Sequence, residues 1–182
     1  RLSGLLPKTL DIAPLLREAK RQLREEADYQ AEGAHLQRFG ALLAGLARQD
    51  EVVIGSPSAG RGLDGSEALI GFFVNTLALR LAPGAAPDLE TYLADVARLV
   101  REGLEHEAAP FEQVVERVGT PRSLAHSPVF QVMFAWQSQE AGALRLGDLA
   151  LAELPLGLSE AKYDLTLSLA SVPDGTIRGE FE

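Results

Sequence analysis

Apolar residues recur at helical spacing in two stretches near the start of the chain. The first stretch predicts a helix over residues 11–29, with Asp11 as its cap. The second predicts a separate helix over residues 35–48, which begins at His35 with that side chain in solvent. The chain is therefore expected to open with two amphipathic helices.

Two further helices are predicted in the middle of the chain. Asp88 caps a helix that runs to about residue 105. His106 follows the end of this helix, where a partial positive charge suits the helix dipole. Pro110 opens the next helix, at a position where a missing N–H group is harmless, and Phe111 is expected to anchor that helix in the core.

Strand patterns lie between and after these helices. Alternating apolar residues predict a strand over 72–81, and Pro173-Asp174-Gly175 predicts the turn of a hairpin near the end of the chain. The predicted order of helices and strands favours a mixed α/β layer structure over a regular βαβ series. The other predicted strands cover 51–55 (before a Gly-, Ser- and Pro-rich loop over 56–66), 129–137 (with Phe130, Val132, Phe134 and Trp136 on one face), 163–169 and 176–181, with one or two weaker strands over 144–154.

Asn75 is the odd member of the 72–81 strand, since it is a polar side chain on an otherwise apolar face. It is also the only asparagine in the chain. A buried amide without hydrogen-bond partners costs about 1–3 kcal/mol. Two interpretations stay open at this stage: a structural network within the sheet, or contact with a ligand in a cavity.

Composition narrows the class of protein. Of the 182 residues, 46% are hydrophobic and 24% charged, which is typical of a folded domain. The net charge of −9 argues against nucleic acid or an anionic membrane as the main partner, and no apolar run is long enough for a transmembrane helix. The absence of cysteine excludes disulfides and thiolate catalysis and leaves the cellular compartment open.

The common catalytic and phosphate-binding motifs do not occur in the sequence. There is no P-loop and no glycine-rich dinucleotide fingerprint. The three histidines, His35, His106 and His126, have none of the spacings of a metal site. Residues 55–60 partly resemble a nucleophile elbow, but a tight surface loop is the favoured interpretation. No metal site and no catalytic residue are predicted.

One segment closely resembles a signature of a known family. Residues 70–80, IGFFVNTLALR, are similar to the motif I-G-x-F-V-N-T-x-x-x-R of the condensation domains of non-ribosomal peptide synthetases. Four further segments resemble that family in the same order. They are 49–61 (QDEVVIGSPSAGR), 106–112 (HEAAPFE), 126–134 (HSPVFQVMF) and 162–167 (KYDLTL). Together these segments are specific, whereas any one alone would be a weak signal.

The resemblance is uneven along the chain. Residues 49–182 match well, whereas 1–48 match only as helices, and 8–34 could equally be a replaced or rearranged segment. The family's catalytic motif, H-H-x-x-x-D-G, has no counterpart, because the chain contains no His-His pair. We therefore expect residues 1–182 to be the C-terminal lobe of a condensation domain, truncated at both ends, with no catalytic residue and inactive alone.

The resemblance implies a fold and a reaction. The fold would be a chloramphenicol-acetyltransferase-like lobe, in which helices pack on a mixed sheet. The reaction would join a donor acyl or peptidyl thioester to an acceptor aminoacyl thioester as an amide, in the biosynthesis of antibiotics and other secondary metabolites. No cofactor would bind directly, since the phosphopantetheine arms of carrier proteins deliver the substrates.

The same resemblance implies partners, a location and site residues. The partners would be donor and acceptor peptidyl carrier proteins, the N-terminal lobe and an adjacent adenylation domain, without nucleic acid or membrane, in the cytoplasm. Asn75, Thr76 and Ser56 are expected to line the substrate tunnel, and Arg80, His106, Pro110 and Phe111 to be structural or to form an ion pair.

Two alternatives stay open. The first is a non-catalytic module of the same fold that only recruits a carrier protein. The second is a sister domain that performs cyclisation or epimerisation. An intact H-H-x-x-x-D-G motif outside these residues would favour the condensing enzyme, and a degenerate one would favour the binding module.

Overall fold

The computed structural model describes eight stretches of the chain, with α1 side chains from residue 29 onward. They are residues 13–61, 66, 69–86, 88–120, 123, 125–137, 161–172 and 175–182. Within them the helices are α1 (Ala13–Ala47), α2 (Leu89–Glu105) and α3 (Phe111–Val118), and the strands are β1 (Val52–Ser58), β2 (Asn75–Leu81), β3 (Val132–Gln137), β4 (Leu165–Ser171) and β5 (Ile177–Phe181). The weak strands predicted over 144–154 and the turn residues 173 and 174 lie outside the described residues.

The five strands form one mixed sheet in the order β2-β1-β3-β4-β5. The outer pairs, β1 with β2 and β4 with β5, are antiparallel, and the inner pairs are parallel. The hairpin predicted at the end of the chain is therefore confirmed. In the described residues β1 pairs with β3 only at Ile54 and Gly55, so β1 continues to Ser58 beside β2 alone.

The prediction of two separate helices before β1 is wrong, because α1 is a single helix of 35 residues. Gly33 does not interrupt it. A Cβ at Gly33 would lie 3.5 Å from the Cα of Ala97, so this glycine lies where α1 packs closely on α2. Among the described residues, no helix combines the length and the apolar character that crossing a lipid bilayer requires.

Two predicted strands begin three residues later than their alternation suggested. The strand predicted over 72–81 begins at Asn75, and the strand predicted over 129–137 begins at Val132. The second difference has a local cause. The N–H group of Phe130 donates a hydrogen bond to the carbonyl of Pro128 at 2.8 Å, and Val129 between them has φ of 70°. This tight turn ends the extended backbone before β3.

The hydrophobic core lies between one face of the sheet and the helices α1 and α2. Asp88 caps α2 as predicted, because its carboxylate accepts a hydrogen bond from the Thr91 N–H at 2.8 Å. Full burial of each large side chain contributes about 1.5–3 kcal/mol. The core side chains are Leu36, Phe39, Ile54, Leu79, Leu81, Tyr92, Val96, Val100, Phe134 and Leu167.

Phe130 lies outside this core, on the other face of the sheet. Gly55 alternates with the core residue Ile54, and a Cβ at Gly55 would collide with the Phe130 ring. Phe111 packs on that ring with 5.3 Å between centroids and is only partly buried. The expectation that Phe111 anchors α3 in the main core is therefore wrong, and its anchor is this separate aromatic contact.

His35 is half-buried rather than solvated, because it lies within α1 and stacks on Trp136. The ring centroids are 5.0 Å apart and the planes are inclined by 16°. Burial, with a smaller contribution from the charge of Arg38, holds the pKa of His35 below its ordinary value of 6.5. The folded chain therefore binds the imidazole proton more weakly than the unfolded chain does.

This difference predicts a loss of stability on acidification. Neutral His35 stabilises the folded chain fully above the unfolded pKa of 6.5. This stabilisation is lost as the pH falls from 6.5 through the lower pKa of the folded chain. His35→Phe keeps a ring against Trp136 but removes the titration. We expect urea unfolding to show a smaller drop between about pH 7.5 and about pH 5 for this variant than for the wild type. Equal drops in the two proteins would contradict the assignment.

Candidate functional site

An open cleft of about 1400 Å³ lies where five separate segments of the chain meet. Its lining residues come from the turn after β1, the start of β2, the α2–α3 turn with α3, the turn before β3 and the turn before β4. Each of these segments contains one of the sequence motifs singled out above. The residues used below are Gly60, Phe73, Asn75, Thr76, Glu107, Pro110, Phe111, Pro128, Phe130, Lys162 and Tyr163.

Asn75 holds the α2–α3 turn against the start of β2. Its Nδ2 group donates to the carbonyl oxygens of Glu107 and Ala109, both at 2.7 Å. Its Oδ1 atom accepts from the N–H groups of Phe111 at 3.2 Å and Thr76 at 2.8 Å. Both donors and both lone pairs of the amide are therefore used within the protein.

This arrangement gives α3 the cap that its own sequence lacks. Pro110 occupies the N-cap position and makes no side-chain hydrogen bond to the helix. The first N–H group of α3, that of Phe111, is instead accepted by Asn75, which lies 36 residues earlier in the chain. The direction of α3 along the cleft thus depends on a side chain of β2.

A second contact ties the same turn to the end of β1. The buried hydroxyl of Ser58 hydrogen-bonds to the Oε2 atom of Glu107 and also accepts the N–H group of Gly60 at 3.3 Å. Gly60 has φ of 62°, and a Cβ there would collide with the carbonyl oxygen of Phe73. Glycine is therefore required where β1 leaves the sheet beside β2.

The structure separates the residues that were expected to line a tunnel. Asn75 and Thr76 both line the cleft. Ser56 is buried on the α1 side of β1, where its hydroxyl donates to Glu32 at 3.4 Å, and it is not part of the cleft lining. The register pairs Ser56 with Leu77, so Ser56 lies on the core face of the sheet, whereas Asn75 lies two residues further along that face, at the end of β2 where the cleft begins.

Arg80 lies on the solvent-exposed surface and forms a two-pronged ion pair with Glu51. Its Nε and Nη2 atoms lie 2.9 Å and 2.6 Å from the carboxylate oxygens. These hydrogen bonds lower the pKa of Glu51. Exposed pairs of this kind contribute little to stability, so Arg80 joins the start of β1 to β2 only weakly.

His106 caps the C-terminal end of α2. Its backbone N–H group and its imidazole ring both contact backbone carbonyls of that helix. Its backbone N–H bonds to the carbonyl of Gly103 at 3.2 Å, and its Nδ1 atom lies 2.8 Å from the carbonyl oxygen of Glu102. Both contacts satisfy carbonyls of the last helical turn.

An aromatic group that sequence reasoning did not identify forms one side of the cleft. Phe130 lies between Phe111 and Tyr163, with 5.3 Å and 5.5 Å between ring centroids. Gly55 is the sequence feature that could have indicated this group, because a glycine inside a short buried strand often marks the close approach of another group.

The charge of the cleft lining is also uneven, since the described lining contains Lys162 and four carboxylates: Glu105, Glu107, Glu112 and Glu116. Among the described residues, no group of three His, Asp or Glu side chains could hold a metal ion.

The hydrogen bonds of Asn75 predict a large effect of its replacement on stability. Asn75→Ala leaves two carbonyls and one helix N–H without a partner, so we expect the free energy of unfolding to fall by about 2–3 kcal/mol. Thr76→Ser is the matched control and should change it by less than about 0.5 kcal/mol. Urea unfolding measures both, and hydrogen exchange should lose protection at the Phe111 amide. If Asn75→Ala were as stable as the wild type in urea, the structural role of the Asn75 hydrogen bonds would be contradicted.

The chain is similar to proteins that are named synthetases. It is 47% identical over 147 residues to malpinin synthetase of Mortierella alpina, a match that covers 81% of this chain and 2% of that protein. The chain therefore spans a very small part of that relative's length.

Solved structures share the fold. The starter condensation domain of rhizomide synthetase aligns with a TM-score of 0.68 at 20% identity, over 85% of this chain and 35% of that one. The X-domain from teicoplanin biosynthesis aligns with a TM-score of 0.66 at 25% identity, over 87% of this chain and 39% of that one. The predicted α/β, chloramphenicol-acetyltransferase-like fold is thereby confirmed.

The family model "Condensation domain" matches residues 8–182. The match includes residues 8–34, so the suggestion that this segment was replaced is not supported. With the fold and the ordered motifs, this match establishes that the chain belongs to the condensation-domain family.

Proposed function

We propose that this chain forms one wall of the tunnel in which a condensation domain joins a donor acyl or peptidyl thioester to an acceptor aminoacyl thioester. The observation that carries the proposal is the convergence of separate motif segments on one cleft, since Asn75, Phe111, Phe130 and Tyr163 come from four different parts of the sequence. Ligand sites are typically concave and mainly apolar with a few polar groups, and the aromatic rings and Lys162 of this cleft fit that description.

The chain's own contribution is to hold and orient the substrates. The acceptor amine attacks the donor thioester carbonyl, the carbon–sulfur bond breaks, and the donor carrier leaves as a thiol after gaining a proton. A cleft of about 1400 Å³ has room for a pantetheine arm with its aminoacyl group. Alignment of two tethered reactants is itself a large source of rate enhancement. Proton transfer is assigned to the H-H-x-x-x-D-G motif outside these residues.

The exposed residues before β2 support the assignment of residues 1–182 to the C-terminal lobe. Leu69, Ile70, Phe72 and Val74 are all exposed, and the side chains of Ile70 and Phe72 are almost completely so. Large apolar side chains grouped in this way indicate a surface that another part of the protein covers. The N-terminal lobe is the proposed cover, so catalysis requires residues outside this chain.

The proposed partners follow from the reaction. Donor and acceptor peptidyl carrier proteins bring phosphopantetheine-linked substrates to the cleft, and an adenylation domain loads the acceptor carrier. The arm is a substrate carrier and not a resident cofactor. The proposed location is the cytoplasm.

A binding module remains the second candidate. The X-domain from teicoplanin biosynthesis is as close in TM-score as several condensation domains, and a solved structure places an X-domain in complex with OxyB. In this chain Glu107 and Ala108 stand where the family motif has Gln and Asp. On this alternative the lobe recruits a partner protein without forming an amide.

An amide-forming assay on the full-length protein that carries this chain separates the two candidates. Donor and acceptor carriers are loaded with thioesters, and mass spectrometry follows the amide on the acceptor carrier. Thr76→Trp fills the cleft and should lower the rate by about 100-fold, because it displaces the reacting groups. Ser171→Trp, at the exposed end of β4, is the control and should leave the rate unchanged.

The outcomes are distinct. An amide that forms at the wild-type rate in Thr76→Trp would place the reaction elsewhere. Carrier binding without an amide, in the wild type, would favour the recruiting module.

A further inference from the structure

The turn before β3 is strained, because its central residue, Val129, is of a type that rarely adopts this backbone conformation. The N–H of Phe130 bonds to the carbonyl of Pro128, which closes a three-residue turn around Val129. Val129 has φ of 70°, in the left-handed region that β-branched residues avoid. A turn of this type is rare and strained. The surrounding structure must therefore hold it in place.

Contacts on both sides of the turn supply that hold. The side-chain amide of Gln131 donates to the carbonyl of Ser127 at 2.9 Å, and the carbonyl of Gln131 accepts the N–H of Asp164 at 3.0 Å. The Phe130 ring is 1% exposed and occupies the space that a side chain at Gly55 would fill. The backbone strain and the buried ring thus belong to one unit.

That unit determines the shape of the cleft. Phe130 packs against Phe111 of α3 on one side and Tyr163 before β4 on the other. Phe111 and Tyr163 are half-buried and both line the cleft. Because the Phe130 ring contacts both side chains, a shift of that ring displaces both, since close-packed protein interiors transmit a displacement of one group to its neighbours.

We propose that Val129 is a positioning residue whose strained turn holds Phe130 as a wedge, and that the wedge sets the cleft to accept a large apolar aminoacyl side chain in preference to a small one. The walls on either side of the wedge are aromatic rings, which bind apolar groups. The inference rests on the proposed function only for the identity of the ligand as an aminoacyl group.

The chain offers a matched control for strain. Apart from Val129, the described non-glycine residue with positive φ is Arg48, at 52°. Arg48 is exposed, follows α1 and does not line the cleft. Val129→Gly and Arg48→Gly both relieve a positive φ, but only the first releases the wedge.

The experiment uses the full-length protein and two probes. These are the phenylalanyl and glycyl amides of N-acetylethylenediamine, in which nitrogen replaces the thioester sulfur. Calorimetry gives the ratio of their affinities, and urea unfolding gives stability. We expect both glycine variants to unfold at higher urea than the wild type. We expect the Phe-to-Gly affinity ratio to fall at least about fivefold in Val129→Gly and to be unchanged in Arg48→Gly and in the conservative Val129→Ile.

Any of three results would overturn the inference. An unchanged ratio in Val129→Gly would show that the turn does not shape the site, and a lower stability would show that it is not strained. An equal change in Arg48→Gly would assign the effect to general stabilisation. Wild-type protein that binds the probes with the expected ratio but forms no amide would contradict the proposed function and leave this inference standing.

Discussion

Four hydrogen bonds of one side chain fix the turn and the helix that line the cleft of this chain. Asn75 joins the first residue of β2 to two carbonyls of the α2–α3 turn and to the first N–H of α3. Without it, α3 would begin at a proline with no cap, and the helix that carries Phe111 would have no fixed direction. An amide is suited to this position because it donates twice and accepts twice, which neither Asp nor Leu does.

The two faces of the sheet differ in what packs against them. The face that carries Ile54 and Leu79 packs on α1 and α2 and supplies most of the buried apolar surface. The opposite face meets the aromatic group around Phe130, where a strained turn at Val129 costs about 1–3 kcal/mol. Stability is thus concentrated on one side of the sheet, and the other side carries a local conformation that stability alone would not select.

Local patterns predicted much of the fold, and contacts distant in sequence explain what they missed. The helix capped by Asp88 and the final hairpin follow from adjacent residues, so they were predictable. The continuity of α1 through Gly33 was not, because that glycine matters through Ala97 of another helix. The convergence of the site segments was not predictable either, since three of the four partners of Asn75 lie 32 to 36 residues away. Family resemblance identified the segments but not their meeting point.

We propose that the pantetheine arm enters the cleft beside Asn75. These 182 residues contain no cysteine, so Thr76→Cys introduces the one thiol of this part of the protein at that point. The full-length variant is incubated with a carrier protein whose arm ends in a bromoacetyl group, with Arg48→Cys as the control, and the modified peptide is identified by mass spectrometry. We expect the arm to become attached at position 76 and not at position 48. Equal labelling at both positions, or labelling at position 48 alone, would contradict it.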